Sequence, residues 1–177
     1  MKRRSVIPAK AGISEQKILA YAGMTKVFKI KKLSDWDAIA KMISPLLKSG
    51  TIIALSGPLG AGKTTFVQAL ARTLGAKVNP RSPTFSLIRA YAIGDTQYPA
   101  KPDAIRRLVH VDAYRIDDER DLLPLNLEEE LREPGTIMAL EWPENIKKWL
   151  AHRHTSIIQL DIKLNGSHLR TIRMSFP

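Results

Sequence analysis

Residues 57–64 combine glycines, a lysine and a threonine at a spacing that suits the binding of phosphate groups. The segment GPLGAGKT matches the pattern G-x-x-x-x-G-K-[ST] in full. Glycine lets the backbone bend closely around an anion, and the N–H groups at the start of the following helix point at its charge. Lys63 would reach the β- and γ-phosphates of a nucleotide, and the Thr64 hydroxyl would ligate Mg²⁺. The motif therefore predicts a phosphate-binding loop (P-loop).

A P-loop also needs an acid that serves the metal or the attacking nucleophile. Two acids are candidates, Asp112 after LVHV and Glu141 after TIMAL, because each ends an apolar segment typical of a buried strand. The carboxyl ends of parallel strands meet at the edge of the sheet where the phosphate loop lies. Either acid alone is equally well read as an ordinary strand-end residue. Together with an intact P-loop, the two favour a catalytic site.

The apolar pattern predicts the elements around this site. Residues 51–55 are a strand that leads into the glycine loop, and an apolar-periodic helix leaves the loop and ends at Gly75. Ser34 and Asp37 match a capping box for an earlier helix that ends near Pro45, and Asn126 is the predicted N-cap of a later one. Other strands are predicted at 27–30, 87–91, 108–112 and 136–140, and other helices at 126–133 and 143–150.

The C-terminal residues alternate between apolar and polar over 158–164 and again over 172–176. Asn165 and Gly166 follow the first of these strands, which predicts a β-hairpin with a type I′ turn. With the preceding elements, this predicts an α/β fold. We expect a single P-loop NTPase-like domain over residues 26–177, with a mostly parallel central sheet flanked by helices and a C-terminal β-hairpin.

Composition narrows the class of protein. The 177 residues include no cysteine, which excludes disulfides, cysteine-bound zinc and thiol nucleophiles. No apolar run reaches the ~20 residues that span a bilayer, and the start does not resemble a secretory signal, so we expect a cytoplasmic protein with no membrane partner. The net charge is +11, but residues 1–32 alone hold nine Lys and Arg against one acid. We expect residues 1–25 to be a dispensable basic leader, with Met24 as a candidate start; the alternative is an RNA-binding arm.

Several classes of nucleotide-binding protein can be compared with these motifs. The chain has no N-K-x-D motif for guanine and no L-S-G-G-Q signature of transport ATPases. A small-molecule kinase remains an alternative, because residues 100–107 include basic side chains that could serve as a lid over an acceptor. A nucleotide-gated binding module without enzymatic activity is a further alternative.

Four separated blocks occur in the order GPLGAGKTTF at 57–66, SPTFSL at 82–87, HVDAYRI at 110–116 and LEWPE at 140–144. Together they resemble the TsaE (YjeE) family of P-loop ATPases, which act in bacterial tRNA threonylcarbamoyladenosine synthesis. The resemblance covers roughly residues 27–177. It implies an ATP-hydrolysing subunit that resets a complex of TsaB-like and TsaD-like partners between rounds, and that meets tRNA only indirectly through that complex. ATP and Mg²⁺ are the implied ligands.

The resemblance also implies roles for individual residues. Asp112 would support hydrolysis by orienting water, Thr84 would approach the γ-phosphate from a switch-like loop, and Lys63 would neutralise phosphate charge. Thr64 and Glu141 would hold Mg²⁺, directly or through water. The residues that cradle the phosphates would be Gly60, Ala61, Gly62, Lys63, Thr64 and Thr65.

Other residues of these blocks keep two interpretations. Trp142 is either a contact for nucleotide or partner, or a packed aromatic; Tyr114 and Arg115 either act in the site or anchor a loop. His110 is more typical of a semi-buried structural histidine than of a catalyst. The segment near 33–36 is the expected neighbour of the adenine base. The chain departs from the family at Pro58, where an acid is common, in the long basic stretch 92–107, and in the leader.

Overall fold

The computed structural model describes residues 23–94, 104–153, 155–166 and 169–177. Its strands are β1 Thr25–Ile30, β2 Ile52–Ser56, β3 Ile88–Ala92, β4 Arg107–Asp112, β5 Thr136–Glu141, β6 Ile157–Asn165 and β7 Leu169–Ser175. Its α-helices are α1 Leu33–Ile43, α2 Lys63–Thr73, α3 Leu127–Arg132 and α4 Lys147–Ala151. Short 3₁₀ turns occupy Ser44–Leu46, Ala113–Arg115, Glu119–Leu125 and Pro143–Ile146.

The seven strands form one mixed sheet in the order β1-β7-β6-β2-β5-β4-β3. The four central strands β6, β2, β5 and β4 are parallel to one another, while β1, β7 and β3 add antiparallel pairs at the two sides. Helices cover both faces, because α1 and α2 pack over one buried cluster and α3 and α4 lie against the other. The predicted α/β fold, with its parallel centre and C-terminal hairpin, is confirmed.

One predicted helix cap, Ser34, is wrong, and the other, Asn126, is confirmed in its N-cap position but not as a side-chain cap. Helix α1 begins after Lys32, and the carboxylate of Asp35 accepts hydrogen bonds from the backbone N–H groups of Lys31 (2.8 Å) and Lys32 (3.1 Å), so Ser34 lies inside the first turn. Asn126 makes no side-chain cap to α3 and adopts φ +45°, which ends the preceding 3₁₀ turn. Asparagine tolerates this left-handed conformation better than most residues do. That tolerance, and not a side-chain capping hydrogen bond, explains why asparagine suits this position.

The ends of three other elements qualify the predictions. Gly75 follows α2 with φ +83°, as predicted. The predicted helix at 143–150 is divided into a 3₁₀ turn and α4. In the hairpin Asn165 pairs with Leu169, which leaves three residues in the connection, so the predicted two-residue turn is wrong.

The leader prediction falls almost wholly outside the described residues. Residues 23–25 are described, and they run beside the C-terminus: the N–H of Gly23 donates to the carbonyl of Pro177 (3.0 Å) and that of Phe176 to the carbonyl of Met24 (3.2 Å). Most of the predicted excursion at 92–107 also lies outside the described residues. None of the helices that the structure describes is long and apolar enough to cross a membrane.

Candidate functional site at the carboxyl ends of the central strands

The glycine loop between β2 and α2 is a close-fitting turn that tolerates no side chain at two of its glycines. Gly57 has φ +143°, and a Cβ there would lie 2.5 Å from the carbonyl oxygen of Ile162. Gly62 has φ +104°, and a Cβ there would lie 2.6 Å from the ring of Trp36. Because L-residues avoid these backbone conformations and the space is filled, glycine is required at both positions. The loop therefore keeps its backbone bare, as a phosphate cradle needs.

Lys63 begins α2 and folds back over this loop. Its side chain is only 5% exposed, and Nζ donates to the carbonyl oxygens of Gly57 (2.7 Å) and Pro58 (3.1 Å). The ammonium also lies 3.7 Å from the centre of the Trp142 ring, within the range of a cation–π contact. Burial lowers the pKa of Lys63 below 10.5, although neighbouring carboxylates, Glu141 foremost, oppose the shift. Neutral partners, two backbone carbonyls and the Trp142 ring, thus hold the Lys63 ammonium against the loop.

A hydroxyl and a carboxylate meet next to the lysine. The Thr64 hydroxyl donates to Oε1 of Glu141 at 2.8 Å, and Glu141 is 3% exposed at the end of β5. His110 on β4 places Nε2 2.8 Å from the same oxygen. Thr64 faces Glu141 because α2 starts directly above the end of the neighbouring strand, so P-loop and strand end form one cluster.

Asp112 ends β4 and organises the loop that carries the SPTF block. Its Oδ2 accepts hydrogen bonds from the hydroxyls of Ser82 (2.9 Å) and Thr84 (2.7 Å), and its Oδ1 accepts from the backbone N–H of Tyr114 (3.1 Å). Asp112 is 3% exposed. A buried carboxylate with three donors is held in one orientation. The two hydroxyl contacts thus join the 82–86 loop to the end of β4.

Trp142 follows Glu141 in a left-handed conformation, φ +59°. Its backbone N–H donates to the carbonyl of Leu55 (3.2 Å) on the adjacent strand β2, and the centre of its ring lies 5.0 Å from that of the Tyr114 ring. Such a backbone is uncommon for a bulky residue and must be held by its surroundings. It turns the indole ring back over Lys63, so the interpretation of Trp142 as a packed aromatic is confirmed, and the same ring lines the cleft.

All nine predicted site residues line one cleft of about 410 Å³. Four lining residues were not predicted as site residues: Leu59, Ser82, Tyr114 and Trp142. The sequence could have indicated Ser82 as a site residue, because Ser82 lies two residues before Thr84 in the same block and its hydroxyl binds the same Asp112 oxygen. A smaller pocket of about 150 Å³ adjoins the loop, and Leu33 and Trp36 line it beside Gly60 and Gly62. The segment expected near the adenine base is therefore next to the cradle.

The donor set suits Mg²⁺ bound together with a phosphate. Among the described residues, no group of three or more His, Asp or Glu side chains could hold a metal ion by itself. Mg²⁺ is usually held by one or two protein oxygens plus substrate phosphates and water. The Thr64 hydroxyl and the Glu141 carboxylate are oxygen ligands of that kind, beside a cradle that excludes side chains.

Comparison with known proteins agrees with this geometry. A sequence model of the family described as threonylcarbamoyl adenosine biosynthesis protein TsaE matches residues 30–172. The TsaE of Bacillus subtilis is 35% identical over 135 residues, which cover 76% of this chain and 75% of the relative. That of Aquifex aeolicus is 40% identical over 64% of this chain and 73% of the relative. The crystal structure of YdiB from Bacillus subtilis superposes with a TM-score of 0.62 at 26% identity, covering 85% of this chain and 84% of that one.

The structure agrees with these matches. Its seven-stranded sheet brings residues of all four sequence blocks to one cleft, at the carboxyl ends of the central strands. The family match spans nearly the whole described chain, and several relatives are at least 30% identical to it over most of its length. The chain belongs to the TsaE family, whose members are named for the biosynthesis of threonylcarbamoyladenosine in tRNA.

Proposed function

We propose that this protein is the Mg²⁺-dependent ATPase subunit of tRNA threonylcarbamoyladenosine synthesis, and that it resets a TsaB–TsaD-like complex between rounds. One observation carries the proposal. Lys63, the Thr64–Glu141 pair and Asp112 converge with the bare glycine loop on one cleft. These are the parts that phosphoryl transfer to water requires, since that reaction depends mostly on positioning and charge stabilisation.

ATP would place its phosphates in the loop, against the backbone N–H groups at the start of α2. Lys63 now donates to the carbonyls of Gly57 and Pro58, and it would exchange these neutral partners for phosphate oxygens. Thr64 and Glu141 would hold Mg²⁺, directly or through water. When bound, the ion would neutralise part of the charge on the phosphates.

Asp112 would orient the attacking water. Its Oδ2 already accepts from two hydroxyls, one of them from Thr84. A water molecule could replace one of these hydroxyls as the donor to Oδ2. Thr84 would then move with the 82–86 loop, which links the order of that loop to the rate of hydrolysis.

We expect slow turnover by the chain alone. Within the part of the chain that the structure describes, no arginine lines the cleft. Arginine donated to the transferring phosphoryl group raises such rates by about 10³–10⁵-fold in other phosphate-loop enzymes. A partner that orders the 82–86 loop or supplies charge would therefore accelerate hydrolysis.

The first test measures phosphate release from ATP by the purified chain, with Mg²⁺ and no acceptor. Lys63→Ala and Glu141→Ala should each lower the rate by about 100-fold or more, since one lost stabilising group costs about that much. Lys77→Ala and Glu133→Ala remove exposed side chains and serve as matched controls. Retained hydrolysis in both cleft variants would overturn the site.

The same measurement separates the alternatives. A small-molecule kinase would transfer phosphate only when its acceptor is added, so release to water argues against it. A nucleotide-gated binding module would show no hydrolysis even in a single turnover. Co-purification with TsaB-like and TsaD-like proteins, with and without ATP, tests the proposed partners.

A further inference from the structure

His110 is buried next to the proposed metal site, although it is not a cleft residue. Its side chain is 0% exposed, and Nε2 lies 2.8 Å from Oε1 of Glu141. Its other ring nitrogen, Nδ1, is buried and has no hydrogen-bond partner among the described residues. The imidazole thus makes one directed contact, and that contact is with Glu141.

The strand register explains why the contact forms. Strands β4 and β5 are parallel, with His110 opposite Ala139 and Asp112 opposite Glu141. Side chains two residues apart on a strand share a face, so His110 lies on the face that carries both acids. The small Ala139 leaves space beside it, and the imidazole reaches across towards Glu141.

The chemistry of the pair assigns the donor. An ionised carboxylate only accepts hydrogen bonds, so Nε2 must carry the hydrogen. A second hydrogen on Nδ1 would be a buried donor without an acceptor, which is costly. The geometry therefore places the hydrogen of this contact on Nε2. Oε1 of Glu141 then receives two donors, the imidazole and the Thr64 hydroxyl.

We propose that His110 is a positioning residue that fixes the orientation of Glu141 for Mg²⁺ binding. The proposal rests on the proposed function, because it concerns the same metal site. Without the imidazole, Oε1 of Glu141 would keep, within the described part of the chain, only the Thr64 hydroxyl as a partner, and Thr64 is itself a proposed ligand. Partners that orient ligands in this way typically change metal affinity by about 10–100-fold when removed.

The test measures ADP binding by calorimetry, in parallel with Mg²⁺ and with a chelator, so that its readout is not hydrolysis. His110→Leu keeps the bulk and removes the donor, whereas His110→Gln keeps an N–H donor near the position of Nε2. We expect His110→Leu to lose about 10-fold or more of the Mg²⁺-dependent gain in affinity. ADP affinity without metal should stay within about 2-fold, and His110→Gln should recover most of the loss.

Thr136→Val is the matched control. Thr136 is also fully buried in the sheet with an unpartnered polar atom, but it lies at the opposite end of β5 from Glu141. We expect this variant to keep the full metal dependence. Equal losses in His110→Leu and Thr136→Val would show that any change in the sheet disturbs the site, and would overturn the proposal.

Other outcomes are equally decisive. The proposal is wrong if His110→Leu keeps the metal dependence, or if His110→Gln loses as much as His110→Leu. Nitrogen NMR of the unaltered chain needs no variant: hydrogen on Nε2 supports the proposal, and hydrogen on Nδ1 alone overturns it. If the unaltered chain binds ADP or ATP with no dependence on Mg²⁺, the proposed function itself fails, which distinguishes the two.

Discussion

Lys63 places a positive charge where water has little access, and its hydrogen-bond and cation–π partners among the described residues are neutral. Two backbone carbonyls and the face of Trp142 surround the ammonium, while the carboxylates act on it from further away. Desolvation is the larger effect, so the pKa of Lys63 is lowered. A negatively charged phosphate bound in the glycine loop would favour the charged form of Lys63 and would therefore raise its pKa. The nucleotide-free protein thus holds Lys63, a proposed phosphate ligand, in an electrostatically unfavourable form.

This has a consequence for stability that depends on pH. In the unfolded chain Lys63 titrates near 10.5, and in the folded protein it titrates lower. Between the two values the unfolded chain binds more protons, so stability rises with pH in that window. Relative to Lys63→Met, the nucleotide-free wild type should therefore gain free energy of unfolding as pH rises towards 10.5. Urea unfolding of both proteins at several pH values measures this.

Lys77→Met is the control for that comparison, because Lys77 is exposed. Its free energy of unfolding should keep a nearly constant difference from the wild type over the same range. A constant difference for Lys63→Met as well would contradict the assigned effect of burial.

Asp112 permits a separate test, since Asn has nearly the same shape. Asp112→Asn keeps an oxygen that can accept from the Ser82 or Thr84 hydroxyl, but removes the charge that we propose orients water. We expect phosphate release to fall by about 100-fold or more, while ADP affinity changes little. The measurements are phosphate release and calorimetry, with the exposed Asp117→Asn as the control. A parallel loss of ADP affinity would instead assign Asp112 to nucleotide binding.

At the scale of elements, the strand ends were the most predictable feature. β5 has a continuous apolar run that ends in an acid, β4 has a mostly apolar one that His110 interrupts before Asp112, and the loop between β2 and α2 carries a complete phosphate-binding motif between a strand and a helix. These signals are local, so they can be seen in the sequence. They place every predicted site residue in one cleft.

The features that were missed depend on tertiary contacts. The left-handed conformation of Asn126 depends on how a 3₁₀ turn meets α3, and the cap of α1 depends on which acid reaches back to Lys31 and Lys32. The contact between His110 and Glu141 requires the register of β4 against β5, which no local pattern contains. Lys63 folds back over the loop against the ring of Trp142, whose place depends on the left-handed backbone of that residue. Bulky residues rarely adopt this conformation, so the sequence does not predict it.

The glycine loop allows a matched pair of substitutions. A Cβ at Gly62 would meet the ring of Trp36 at 2.6 Å, whereas a Cβ at Gly60 would meet nothing within 4 Å. Both glycines have positive φ, so Gly60→Ala should cost about 1 kcal/mol through backbone strain alone. Gly62→Ala adds a steric conflict and should cost about 2–4 kcal/mol, with a larger loss of ADP affinity. Urea unfolding and calorimetry measure both, and equal costs would contradict the close packing.

At the scale of the whole molecule, the parallel centre of the sheet brings the P-loop and both acidic strand ends to one edge. The 82–86 loop closes over this edge, with Ser82 and Thr84 bound to Asp112. Phe85 in the same loop is 88% exposed, and the Arg115 guanidinium lies 4.7 Å from its ring centre. An outward-facing aromatic residue therefore adjoins a loop that contacts the proposed catalytic acid.

We expect TsaB-like and TsaD-like partners to raise phosphate release by about 10-fold or more, because ordering this loop would fix Thr84 and Asp112. Phe85→Ala should lower the stimulated rate more than the rate of the chain alone. Steady-state phosphate release with and without partners measures both effects. Turnover by the isolated chain that equals that of the assembled complex would contradict the prediction.

Trp36 belongs to α1, which supplies none of the predicted phosphate or metal ligands, yet its ring fills the space where a side chain at Gly62 would lie. The two positions share one volume, so substitutions at them are interdependent and their effects should not add. A bulkier residue in the cradle would be tolerated only with a smaller ring on the helix. Through Trp36, helix α1 thus sets the width of the proposed phosphate cradle.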